Sequence, residues 1–292
     1  MEKHLQKAIT MEENKKKVCV LMLQRNLPEI SEKSYNHHLK WNNDLADFFV
    51  IESGSDDESV FQKKDHVIHA DWDDARTNGM RWARGFNYGL LEAQKKSDDY
   101  EYFLLMNGDV ELFEENTVEK MLKVMNSNPR IGMLSANSPQ WGNDVKVPLG
   151  NKDFISHWQI TIDCWMVRKS FLSQIGSSFP EQNWMTYLFD GNNFRGAFAD
   201  DEVVMKAYQM GWMCGYTSHV NFIENHNITA NNFEKMKTED LAPSREKMTR
   251  EGLEWIKQKY GCQNKQQYRS LNYQTYLNFF NLNPELNHLR CT

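Results

Sequence analysis

The sequence predicts an α/β protein: a mostly parallel sheet flanked by helices, with a helical extension at the C-terminal end. Three observations predict it. Short apolar runs, Val18–Leu23, Phe48–Ile51 and Tyr100–Met106, alternate with helical stretches. Each run stops at a polar or glycine-containing turn, as buried parallel strands do. The chain has 292 residues, enough for one large α/β domain with a tail.

Val18-Cys-Val-Leu-Met-Leu23 is a buried first strand, followed by the polar turn Gln24-Arg-Asn-Leu-Pro28 and a helix over about Ser31 to Asn42. Phe48–Ile51 is the second strand, and it ends at Glu52-Ser-Gly-Ser-Asp-Asp57, a strong turn signal. Open parallel sheets bind ligands at the carboxyl ends of their strands, so both turns are candidate ligand loops. A short strand near His66–Ile68 precedes the segment Thr77–Leu90, which enters a helix running to Lys95. The strongest strand, Tyr100–Met106, breaks at Asn107-Gly-Asp-Val-Glu111, and a helix from Asn116 to Met125 and a strand from Ile131 to Ala136 follow. Residues 138–153 are rich in Gly, Pro, Asn and Trp and mark a loop or crossover. Ile160–Val167 is a strand, Ala199–Met210 a helix ending at Gly211-Trp212, and Tyr216–Ile223 a late strand leading into Glu224-Asn-His-Asn227. The expected organisation is a charged leader (1–17), a main domain (18–230, with a nucleotide-binding half to 137 and a second half, 138–230, beyond) and a helical, aromatic-rich extension (231–292). The aromatics of that extension imply packing or an oligomer contact.

Hydrophobic residues make up 40% and charged residues 25%, ordinary globular usage. A net charge of −6 leaves no basic footprint for nucleic acid. The five cysteines, Cys19, Cys164, Cys214, Cys262 and Cys291, form no CxxC or zinc spacing. With no apolar h-region before Lys17 and no run of ~18 apolar residues, a reduced cytoplasmic setting is expected, with peripheral membrane contact left open.

Asp109 stands just past an apolar strand in a glycine-containing turn, beside Asn107 and Glu111. A carboxylate there suits Mg2+ or Mn2+ bound to a diphosphate, and equally suits a helix cap or plain turn. Asp200 and Asp201 open a helix, where acids are electrostatically favoured whatever their role. Asp200 is a candidate general base toward a hydroxyl. His226, in a polar context after a strand, is a candidate metal ligand, with His219, His157, His66 and His69 as competitors. Arg76, Arg81 and Arg84 surround a turn and could pair phosphate, although surface solvation suits any one of them. Trp141, Trp158, Trp165 and Trp184 offer faces for a sugar ring, most of them more simply as core. No GxGxxG or Walker A loop is present.

Taken in order, these features resemble the family 2 glycosyltransferases, which have the GT-A fold. Gln24-Arg-Asn26 resembles that family's opening turn, and Glu52-Ser-Gly-Ser-Asp-Asp57 its acid-containing loop, with Glu52 where the family has a nucleoside-binding Asp. Asn78, Gly79, Arg84-Gly85, Asn87 and Gly89 are similar to a glycine- and asparagine-bearing family segment. Leu105-Met-Asn-Gly-Asp-Val-Glu-Leu112 looks like a DxD motif. Ala199–Trp212 aligns without a gap to the E-D-V-D-L-x-x-R-x-x-x-x-G-W stretch, with Ala199 and Lys206 as departures.

The resemblance, over about residues 18–228, implies a nucleotide-sugar donor held by Gln24, Asn26, Glu52, Ser53, Asp56, Arg81, Asn87, Asn107 and Gly108. It implies Mn2+ or Mg2+ at Asp109 and His226, Asp200 as base, and Trp165 and Asp201 at a glycan or other hydroxyl acceptor. The implied activity is inverting hexosyl transfer, in surface polysaccharide or glycoconjugate synthesis. A sugar-nucleotide nucleotidyltransferase is the rival enzyme class, disfavoured because Gln24–Pro28 has no glycine. A non-catalytic nucleotide- or sugar-binding module on the same fold is the other rival.

Overall fold

The computed structural model describes residues 16–112, 114–138, 152–160, 163–177 and 184–291. Trp141 and most of the expected crossover at 138–153 lie outside them.

The elements in chain order are β1 (Val18–Gln24), α1 (Pro28–Trp41), β2 (Ala46–Ser53), β3 (Val67–Ala70), α2 (Asp73–Asn78), α3 (Arg81–Lys96), β4 (Tyr102–Asn107) and β5 (Val110–Leu112). Then come α4 (Thr117–Ser127), β6 (Ile131–Asn137), β7 (Ile155–Ser156), β8 (Cys164–Arg168), α5 (Lys169–Ile175), α6 (Ala199–Gln209) and β9 (Met213–Glu224). Three helices finish the chain: α7 (His226–Asn232), α8 (Leu241–Tyr260) and α9 (Lys265–Leu282).

The strands form one sheet in the order β3-β2-β1-β4-β8-β6-β9-β5, with β7 also on β9. The first four are parallel, which explains why their sequences are near-continuous apolar runs. Their carboxyl ends, Gln24, Ser53, Ala70 and Asn107, therefore lie along one edge. β8 runs antiparallel between β4 and β6, and β9 is parallel to β6. β5 pairs antiparallel with the far end of β9. The sheet is thus parallel through β3, β2, β1 and β4 and mixed beyond them.

The helix expected to follow Thr77 is α3, beginning at Arg81, and a short helix not expected, α2, precedes it. Gly79 takes φ +68° and Arg81 φ 55°, so the chain turns between α2 and α3. A side chain on Gly79 would also strike Arg25 Nη1 at 2.7 Å. Gly85 and Gly89 let α3 lie directly on Leu23 and Ile51. The stretch expected as a simple turn after Asn107 contains β5, and the polar segment after Glu224 contains α7.

The C-terminal extension folds back onto the domain. α9 packs on α6, where Tyr276 meets Tyr208 edge-on at 5.2 Å and Phe279 meets it at 5.3 Å. Tyr276 donates its hydroxyl to the Ser156 carbonyl at 3.0 Å. Trp255 and Ile256 of α8 close a smaller cluster with Tyr268. Tyr268, Tyr276, Phe279 and Phe280 are all buried within the chain, while Tyr273 is exposed, so four of these five aromatics serve intramolecular packing.

The loop after β2 depends on Gly54, at φ +72°, where a Cβ would lie 1.8 Å from the Ala75 carbonyl oxygen. Gly54→Ala combines left-handed strain with a backbone clash, so it should lower unfolding free energy by about 3 kcal/mol or more. Urea denaturation followed by tryptophan fluorescence checks this; an unchanged midpoint would contradict the packing described.

Candidate active site

The site begins with a backbone pairing. Val110 of β5 lies opposite Glu224 of β9, and the Asn225 N–H donates to the Asp109 carbonyl at 2.7 Å. This pairing joins residues more than a hundred positions apart and places Asp109 beside Glu224 and His226. One ligand atom from each of these three lies within 4.8 Å of the others. His226 Nδ1 is 3.5 Å from Glu224 Oε1, and Thr229 Oγ1 donates to Asp109 Oδ2 at 3.5 Å. Burial raises the Asp109 carboxyl above its ordinary value, partly opposed by His226 and Thr229. A carboxylate short of water, with a second carboxylate and an imidazole in reach, is a donor set that fits a divalent cation such as Mn2+ or Mg2+.

Beside this triad a cavity of about 270 Å³ opens at the carboxyl edge of the parallel strands. Gln24, Ser53, Arg81, Asn107, Gly108 and Asp109 line it, together with Arg25, Trp82 and Glu239. Gln24 Nε2 donates to Glu52 and its Oε1 accepts from the Leu27 N–H at 2.8 Å, so this side chain ties β1 to the start of α1. Ser53 Oγ accepts from the Met80 N–H at 2.7 Å and fixes the turn before α3. Arg25 donates to the carbonyls of Arg76 and Thr77 and anchors that turn from below. Gly108 sits where a Cβ would meet the Leu23 carbonyl oxygen at 2.8 Å.

Several residues expected at the donor or acceptor do other work. Glu52 is fully buried and lies outside the cavity lining. It accepts from Gln24, Ser55 and the Phe61 N–H, so it holds the loop together instead of touching a nucleoside. Asn26 is buried in the left-handed region at φ 55° and pairs with Asp56, accepting from its N–H at 2.8 Å. Asp56 faces Lys237 outside the cavity. Asn87 is fully buried, accepts from the Leu188 and Phe189 N–H groups and donates to the Trp184 and Phe189 carbonyls. Trp165 is core, fully enclosed in β8, and Asp201 is buried beneath α9. Neither presents a face to an acceptor.

Asp200 lies in the first turn of α6, which follows Phe198 at φ 69°. The loop leading there abuts the cavity: a Cβ on Gly196 would meet Trp82 at 2.4 Å, and Arg195 pairs with Glu239. Burial pushes the Asp200 carboxyl up to about 6, opposed by helix N–H groups and the charges of Arg269 and Lys265. Asp201 is raised further, first by burial and then by the charge of Asp200. Glu202 is fully buried but ion-paired with Lys259 at 2.7 Å and bonded to Tyr260.

Sequence reasoning passed over Glu224, Arg25, Trp82, Arg195 and Glu239. Glu224 was visible two residues before His226, but its role depends on the β5–β9 pairing. Arg195 and Glu239 are ordinary charged residues until the fold joins them.

No protein-family model matches the sequence, and no curated protein does. Solved structures do resemble it. GalNAc-T7, solved with UDP, GalNAc and Mn2+, superposes with a TM-score of 0.52 at 11% identity, over 72% of this chain and 44% of that chain. The fold is GT-A. A mannosyltransferase from Pyrobaculum calidifontis, solved with GDP-Man and Mn2+, gives a TM-score of 0.49 at 15% identity, over 72% of this chain and 56% of that one. S. aureus TarS gives 0.48 at 13% identity, over 82% and 72%. This chain spans about half the length of the first two. No helix among the described residues is long and apolar enough to cross a membrane.

The raised Asp200 carboxyl has a stability consequence. Its native state favours the protonated form, so its contribution is present at low pH and is lost as pH rises through about 6. Asp200→Asn should therefore stabilise the protein at pH 8. The gain should vanish toward pH 4. Thermal melts at both pH values measure this, and a loss of stability at pH 8 would contradict it.

Proposed function

We propose that this protein is a glycosyltransferase that moves a sugar from a nucleoside diphosphate donor to an acceptor hydroxyl with inversion. The observation that carries the reading is the convergence of Asp109, Glu224 and His226 beside the cavity at the carboxyl edge of a GT-A sheet. Asp109, Glu224 and His226 would hold Mn2+ or Mg2+, which when bound neutralises charge on the departing diphosphate. Mn2+ in the GalNAc-T7 structure supports that choice.

The remaining chemistry belongs to the chain. Arg81, half-buried at the cavity, pairs donor phosphate oxygens. Gln24, Ser53 and Gly108 keep the floor of the cavity close-fitting, and Glu52 holds the loop beneath it. Asp200 removes the acceptor proton as the hydroxyl attacks the anomeric carbon, and the C–O bond to the diphosphate breaks on the opposite face. A carboxylate titrating near 6 suits this: it is ionised at neutral pH yet more basic than an exposed aspartate.

The test is a panel of nucleotide sugars with Mn2+, scored for donor hydrolysis and for transfer to simple glycosides. Asp200→Asn should lower turnover 10²–10⁴-fold while nucleotide binding persists. Activity of the unaltered chain should fall below pH ~6, as Asp200 takes up its proton. Glu224→Gln should weaken Mn2+ binding about 10-fold or more, as read by titration calorimetry. Nucleotide binding with no turnover across the panel would favour a binding module instead.

A further inference from the structure

We propose that Arg81, Arg195 and Lys247 form a phosphate-recognising site which the chain plugs with its own Glu239 carboxylate, so that a diphosphate enters by displacing residues 233–239. This rests on the donor reading of the cavity and adds its regulation.

Three cations from three separate elements converge on one carboxylate. Arg81 opens α3, Arg195 precedes α6, and Lys247 lies on α8. Arg81 Nη2 donates to Glu239 Oε2 at 2.7 Å, while Arg195 Nη2 and Lys247 Nζ share Oε1, the lysine at 3.1 Å. Arg195 also pairs Glu251 through Nη1. The arginine and glutamate side chains are only 13–23% exposed, so water screens them little. Burial opposes ionisation of Glu239, but the hydrogen bonds from Arg81, Lys247 and Arg195 hold its carboxyl well below the usual range.

The fit is incomplete in a way that points to a larger anion. Arg81 Nε and Arg195 Nε are both buried without a hydrogen-bond partner. Two carboxylate oxygens serve three cations, whereas a terminal phosphate offers three oxygens and a second negative charge, and guanidinium pairs such a group through two donors at once. Orphaned donors on both arginines are what a phosphate would satisfy and a carboxylate does not.

The plug is built to lift. Lys235 offers its carbonyl to Asn26 at 2.9 Å and pairs Glu29 at 2.9 Å, and Lys237 pairs Asp56 at 2.5 Å. Both lysine contacts are half exposed, so water screens them and they hold the segment weakly. Lys237 sits at φ 52°, in the left-handed region that a lysine rarely adopts. With the segment down, Met236, Thr238 and Glu239 form part of the lining of the cavity.

Inorganic pyrophosphate, titrated calorimetrically into the full chain without metal, tests the site apart from any turnover. Glu239→Gln should bind it at least tenfold more tightly than the unaltered chain, and Glu239→Gln combined with Arg195→Met should lose that gain. Lys235→Ala with Lys237→Ala, which loosens the segment but keeps Arg81, Arg195 and Lys247, should tighten binding two- to threefold. Hydrogen exchange at residues 233–239 should rise when pyrophosphate is added. Equal or weaker binding by both the Glu239→Gln and the paired lysine variants, with melting temperatures near that of the parent, would overturn the proposal. Sugar transfer by the unaltered chain would survive that outcome. Conversely, the pyrophosphate gain would stand even if no nucleotide sugar were consumed.

Discussion

The pairing of β5 with β9 is the contact on which the site depends. It comprises only Val110, Glu111 and Leu112 against Glu224, Ile223 and Phe222. Because side chains alternate across a strand, a one-residue slip would send Glu224 to the opposite face from its present partners. The register is secured at both ends. β4 is central in the sheet, so Asp109 leaves it at a fixed point two residues past Asn107, and β9 is zipped to β6 before it reaches β5. The Asn225 N–H then closes on the Asp109 carbonyl and starts α7. Everything that could bind a cation follows from that short ladder.

This explains which parts of the molecule were legible in the sequence. β1, β2 and β4 were, because each is buried on both faces and must be an apolar run, and their carboxyl-end turns could be named from composition. Asp109 and His226 were legible as exceptions, polar groups where packing offers no reason for them. Glu224 was not, since three residues of strand inside a polar turn carry no periodicity, and the partner strand is over a hundred residues away. Glu52, Asn87 and Trp165 show the opposite failure. Their residue types suit a ligand, yet each is fully buried, and an internal hydrogen-bond network satisfies Glu52 and Asn87 alike. Residue type predicts what a side chain can bind. Burial decides whether a ligand or the protein does the binding.

The C-terminal helices were read as an extension, but their physical effect falls on α6. Tyr268 and Asn272 of α9 cover Asp201, whose Oδ1 is buried without a partner, as are the Tyr268 hydroxyl oxygen and Asn272 Oδ1. Leaving such groups unsatisfied costs about 1–3 kcal/mol each. Burial raises the neighbouring Asp200 carboxyl, while Arg269 and Lys265 of α9 oppose the rise. The helix N-terminus by itself stabilises negative charge and would depress the carboxyl. Burial is the larger effect and reverses the sign. Through α8 and the segment before it, the tail brings Lys247 and Glu239 to Arg81 and Arg195 beside the cavity, and through α9 it completes the core over α6.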